Sequence, residues 1–172
     1  RTFVRRVTLD LTGLPPTPHE IDEFLADRSE KSYEKVIDRL LASPRYGERW
    51  ARFWLDIVRY CDVPEVWAEN GGQAWLYRDW VVRAINQDLP YNQFIVQQLA
   101  ADQLPNARPE DTAALGLLGL SPSYWKELKL DHNVIKTVVA EEWEERITAL
   151  SGGLLGLTVA CARCHDHKFD PI

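Results

Sequence analysis

Apolar residues recur at steps of three and four through most of the chain, a spacing that gives each of several helices one non-polar face. Thr17 and Glu20 form a capping box around Pro18 and open a short helix that buries Ile21, Phe24 and Leu25. Ser32 opens a second, on which Tyr33, Val36, Ile37, Leu40 and Leu41 share a face until Ser43-Pro44 ends it. The clearest pattern lies in residues 45–60. There Tyr46, Trp50, Phe53, Ile57 and Tyr60, joined by Trp54, line one side, while Arg45, Glu48, Arg49, Arg52, Asp56 and Arg59 gather on the other.

Residues 61–72, with Pro64, Asn70, Gly71 and Gly72, form a loop. Helical spacing resumes over 75–86 through Leu76, Trp80, Val81, Ala84 and Ile85, and after the turn Asp88-Leu89-Pro90 a further helix buries Phe94, Ile95 and Leu99. Beyond a loop at 105–109, Asp111 begins the apolar run 113–120. Residues 131–150 then predict a long helix with Val134, Ile135, Val138, Val139, Trp143, Ile147 and Leu150 inward and Glu141, Glu142, Glu144, Glu145 and Arg146 outward. Residues 1–14 alternate only weakly and end in Gly13-Leu14-Pro15-Pro16, which predicts an extended lead-in. The fold class is therefore all-α: one irregular multi-helix domain over residues 1–172, with six to eight helices and an extended N-terminal lead-in.

The five residues Gly116-Leu117-Leu118-Gly119-Leu120 recur as Gly153-Leu154-Leu155-Gly156-Leu157, without matching flanks. Glycines three apart strip side chains from one helical face and admit a close neighbour. For Gly116 and Gly119 that neighbour is another helix; for Gly153 and Gly156 it is a second backbone or a flat macrocycle.

The second copy leads into Cys161-Ala162-Arg163-Cys164-His165. Two thiols separated by two residues, with an imidazole next in line, are the pattern that holds c-type haem covalently. On a helical turn Cys161 and Cys164 share a face and reach the two vinyl groups of one porphyrin edge, and His165 supplies the proximal iron ligand. Three rivals stand beside haem c. Zinc would need further thiols or imidazoles at ribbon spacing, a thioredoxin-type dithiol would need a strand before it, and a plain disulfide needs no cofactor. With no methionine in these residues a His/Met haem cannot form among them, so the sixth position is another His, a weak ligand or open. His132, at a predicted helix start, is the first distal candidate and His19 the second; His167 is too close in sequence to His165 to reach the opposite face of the same ring. The arginines of 45–59 either seat haem propionates or belong to a solvated face of ion pairs.

Several blocks resemble a cytochrome-associated domain of large secreted Planctomycete proteins. These are Arg5-Arg6-Val7-Thr8-Leu9-Asp10-Leu11-Thr12-Gly13-Leu14-Pro15-Pro16, Leu41-Ala42-Ser43-Pro44-Arg45-Tyr46-Gly47-Glu48-Arg49-Trp50, Tyr77-Arg78-Asp79-Trp80 and Asp88-Leu89-Pro90-Tyr91. The most specific is the closing run from Gly156 to Ile172 around the CxxCH. The resemblance implies a module of a larger multidomain polypeptide, placed between a cytochrome c module and further domains, in an extracytoplasmic (periplasmic or secreted) setting. It implies no defined reaction. Cys61, in Cys61-Asp62-Val63-Pro64, departs from the short cysteine-free loop expected there.

Composition narrows the choice further. A net charge of −6 lacks the basic excess a nucleic-acid surface needs, and no apolar run reaches membrane-spanning length. The chain begins at Arg1 and reads as part of a longer precursor. Of three cysteines, Cys61 is left over and is expected to be buried. No zincin, nucleophile-elbow, Walker or dinucleotide-binding motif occurs. Three functions remain: a c-type haem domain moving electrons within a larger protein, a haem-dependent oxidoreductase acting on polysaccharide with Trp67, Trp75 and Trp125 as stacking candidates, and a structural or docking module whose CxxCH is a disulfide.

Overall fold

The computed structural model describes residues 1–62, 73–105, 107–119, 131–166 and 168. Among them eight α-helices follow one another without a strand: α1 Thr2–Thr12, α2 Pro18–Ala26, α3 Ser32–Leu41, α4 Pro44–Ile57, α5 Ala74–Asn86, α6 Tyr91–Ala100, α7 Gly116–Gly119 and α8 His132–Leu150. Short 3-10 segments at Ala101–Gln103, Pro109–Leu115 and Ala160–Arg163 and a π turn at Ser151–Leu155 join or extend them. The domain is all-α, as the spacing predicts.

The N-terminus corrects the expectation of an extended lead-in. It forms α1, because Val4 and Thr8, one helical turn apart, are buried and α1 packs on α3 and α4. Gly13, at φ 73°, takes the left-handed conformation that closes the helix, and its N–H donates to Leu9 O. At α2 the expected capping box is present: Glu20 N donates to Thr17 Oγ1 at 3.2 Å and Thr17 N to Glu20 Oε2 at 2.7 Å. None of α2's residues is fully buried, however; Leu25 is exposed, while Phe24 meets Phe3 and Tyr33 in an aromatic trio that ties α2 to α1 and α3.

The core lies between α4, α5 and α6, and α4 reaches it with a different face from the one its bulky residues predict. Gly47, Ala51 and Val58 are buried, whereas Trp50, Phe53 and Ile57 are 40–50% exposed. Small residues win this contact because they let α5 approach closely. Gly47 N donates to Asn86 Oδ1 at 2.8 Å, Asn86 Nδ2 donates to Pro44 O at 3.1 Å, and a Cβ on Gly47 would stand 2.5 Å from Asn86 Cγ. From α5 come Tyr77, Trp80, Val81 and Ala84; α6 contributes Phe94 and the fully buried Gln98. Tyr77 Oη donates to Gln98 Oε1 at 2.6 Å, Trp54 Nε1 donates to the same oxygen at 3.0 Å, and Gln98 Nε2 donates to Phe94 O at 3.0 Å. A buried amide with its carbonyl shared by two donors costs little, and it fixes how α4, α5 and α6 meet.

The long helix α8 is the second correction. Its bounds fall where predicted, but none of its residues is fully buried; Val134, Val139, Trp143 and Ile147 are 44–58% exposed. It is held mainly by its C-terminal half. Arg146 Nε donates to Leu118 O at 2.8 Å, Arg59 pairs with Glu145 at 3.8 Å, and Leu150 packs against the core cluster. No helix among the described residues is long and apolar enough to cross a membrane.

Candidate functional site

The CxxCH stands at the end of an arm built by α8. Asp131 caps that helix by accepting from Asn133 N at 2.9 Å. At its other end Ser151–Leu155 widens into a π turn, and Gly156, at φ 67°, reverses the chain so that Leu157 N donates to Ser151 O at 3.0 Å. The helix therefore continues past Ser151-Gly152-Gly153 but stops at Gly156, and the motif occupies a turn of its own. Gly153 does admit a close neighbour, since a Cβ there would stand 3.2 Å from Ile57 Cγ2; around Gly156 the space is open, and its role is the reversal.

That turn, Ala160–Arg163, is 3-10, closed by Cys164 N donating to Cys161 O at 3.1 Å. Cys161 lies within the turn and Cys164 caps its end, three residues on. Both are exposed. Exposed His165 follows, its N–H reaching Cys161 O at 3.3 Å. Its Nδ1 lies 3.0 Å from Asp166 O, a contact that suits the tautomer with the proton on Nδ1 and the lone pair on Nε2. Metal-bound histidines are commonly oriented in this way.

A groove of about 620 Å³ runs between α8 and this turn, walled by Ile147, Thr148, Leu155, Leu157, Val159 and Ala162. Leu155 is 69% exposed, which makes it the most exposed large apolar residue described. Ala160 and Arg163 also face the groove. Arg163 Nε forms an ion pair with Glu144 Oε1 at 3.0 Å across the groove. Sequence reasoning missed this pair, the groove and the Asp166 carbonyl. An arginine inside the CxxC beside a glutamate-rich helix was the available signal.

Among the described residues no three His, Cys, Asp or Glu side chains converge where one metal ion could sit, as tetrahedral zinc would require. Two exposed thiols three residues apart, an exposed imidazole next in line and neighbouring apolar surface are the parts that thioether attachment of a porphyrin would use. Cys161, Cys164 and His165 are all exposed on one turn. The structure sets His132 apart: His132 opens α8 twelve residues before Glu144, about 18 Å along the axis. His19 is on α2, 3.5 Å from Glu23, and His167 lies outside the described residues.

Other expectations fall as follows. Cys61 is exposed rather than buried, since it follows α4 beyond Tyr60 and stands at the surface. The arginines of α4 make the ion pairs of a solvated face: Arg45 meets Glu48 at 2.7 Å and Arg52 meets Asp56 at 3.8 Å. Arg49 stacks over Phe53 at 5.2 Å. Trp75 is 46% exposed, and Trp67 and Trp125 lie outside the described residues. No curated protein and no solved structure matches the chain. A family model described as PSCyt2, protein of unknown function (DUF1549), matches residues 1–172, and the chain belongs to that family.

Proposed function

We propose that this domain carries haem c on Cys161 and Cys164 and serves electron transfer within a larger extracytoplasmic protein. The reading rests on one observation: two exposed thiols three residues apart at a 3-10 turn, followed by an imidazole whose Nδ1 lies beside a backbone carbonyl. Haem bound there supplies an iron that accepts and returns one electron. The protein's part is to attach and orient. Cys161 and Cys164 hold the vinyl edge, His165 offers Nε2 to the iron, and the Asp166 carbonyl keeps the imidazole in the required tautomer. Leu155, Leu157 and Val159 provide non-polar surface beside the turn. The exposure of the turn leaves the attached group open to another domain of the same polypeptide, for which a cytochrome c module is the natural exchange partner.

The test is to produce the protein in a host with c-type haem maturation machinery and to record pyridine haemochrome spectra. The expected result is a thioether-linked haem in the wild type, its loss in C161A/C164A, and a changed axial spectrum with pigment retained in H165A. A colourless wild type, made beside a control cytochrome that matures normally, would mean that the cysteines serve as a disulfide or hold another metal.

A further inference from the structure

Of the glutamates on α8, Glu145 is directed to Arg59 and Glu142 to Arg146, while Glu144 reaches across the groove to Arg163. Arg163 stands between the two cysteines and eclipses Ala160, so a hold on its side chain is a hold on the rotation of the turn. Both sides of the groove are lined with apolar groups, Ile147 and Leu155 facing Val159, Ala160 and Ala162, and closing it would remove those groups from water. Rolling the turn into the groove would carry the thiols and His165 with it. The Glu144–Arg163 ion pair ties the turn to α8 at one point of the groove.

We infer that Glu144 is a positioning residue of the CxxCH site: through Arg163 it fixes the turn so that Cys161, Cys164 and His165 remain presented together. Its part in haem attachment rests on the function proposed above; its hold on the turn does not. The pair is about half exposed, so its loss shifts the turn by roughly two- to fivefold, the range of surface ion pairs.

The test compares amide hydrogen exchange over residues 158–165 in haem-free wild type, E144Q, R163Q and the exchanged pair E144R/R163E. Each single variant is expected to exchange roughly two- to fivefold faster, with the exchanged pair near wild type. About 1 M salt should bring the wild type to the single-variant rate and leave the single variants unmoved, because screening acts on the pair alone. The same four proteins, co-expressed with maturation machinery, should carry less covalent haem in each single variant and recover it in the exchanged pair. Unchanged exchange in the single variants, or an exchanged pair no slower than they are, overturns the inference. If no protein in the set acquires haem, the proposed function fails, and the exchange rates still decide whether Glu144 holds the turn.

Discussion

The same five residues meet two fates in this molecule. In Gly116-Leu117-Leu118-Gly119-Leu120, Gly116 lies so near α5 that a Cβ would stand 2.5 Å from Tyr77 Cβ, and Leu117 is 5% exposed. In Gly153-Leu154-Leu155-Gly156-Leu157, Gly153 meets the side chains of Ile57 and Val58, Gly156 turns into open space and Leu155 stands in solvent. The first copy has α5 and α6 to close on, whereas the second borders a groove at the end of an arm. Burial was set by the neighbouring elements and not by the pentapeptide. The α4–α5–α6 core has the close packing of a scaffold, and the C-terminal arm has the exposed, polar-edged surface of a site.

That contrast can be broken most forcefully from the core side. Gly116→Ala should cost about 3 kcal/mol in urea unfolding, because Tyr77 is fully buried and has nowhere to retreat. A cost under about 0.5 kcal/mol would show that α7 packs loosely. Gln98→Leu should cost about 2 kcal/mol, since Tyr77 Oη and Trp54 Nε1 lose their shared acceptor. The double variant Gln98→Leu with Tyr77→Phe should cost more than Gln98→Leu alone, because Tyr77 Oη, 2.9 Å from Trp54 Nε1, is the acceptor left to that N–H and phenylalanine removes it.

Alkaline pH probes the same network. Burial is the main cause that raises the Tyr77 phenol above its ordinary value of 10.0, so the folded state favours the neutral form. Its contribution is therefore complete below pH 10 and is lost as pH rises above it, at up to about 1.4 kcal/mol per pH unit. Tyr60, raised by burial and then by Asp62, adds to the loss in the same direction. Tyr77→Phe should flatten only part of the slope measured between pH 9 and 11. The arm supplies the smallest effect. Gly156→Ala places a side chain at φ 67° with no neighbour to crowd, a strain of about 1 kcal/mol. It should speed amide exchange over residues 151–165 while leaving the urea midpoint of the core in place, and a matched shift of both would join arm and core into one cooperative unit.

Much of the helical order was legible in the chain, because capping chemistry is local. Thr17 with Glu20 and the helices over 74–86 and 132–150 follow from neighbours in sequence. Faces were less legible, because they depend on which partner arrives. On α4 the aromatic stripe of Trp50, Phe53 and Ile57 has the spacing of a core face, yet the buried contact belongs to Gly47 and Ala51, which admit α5 more closely than any bulky residue would. On α1 two buried positions one turn apart, Val4 and Thr8, are too few to rise above a weak alternation. Along α8 apolar spacing predicts burial, and among the described residues no helix covers Val134, Val139 or Trp143. The motif proposes Cys161, Cys164 and His165 from sequence, and the structure shows all three exposed on one turn. Glu144 had to wait for the fold, since seventeen residues separate it from Cys161 and only the reversal at Gly156 brings the turn back beside α8.

The central claim is covalent attachment of a porphyrin through both thiols, and intact mass under denaturing conditions measures it directly. Protein matured in an export pathway with haem ligation should weigh the polypeptide plus one haem, and the addition should vanish when Cys161 and Cys164 are both replaced by alanine. A wild-type mass equal to the bare polypeptide, or lighter by two hydrogens for a disulfide, would contradict the account.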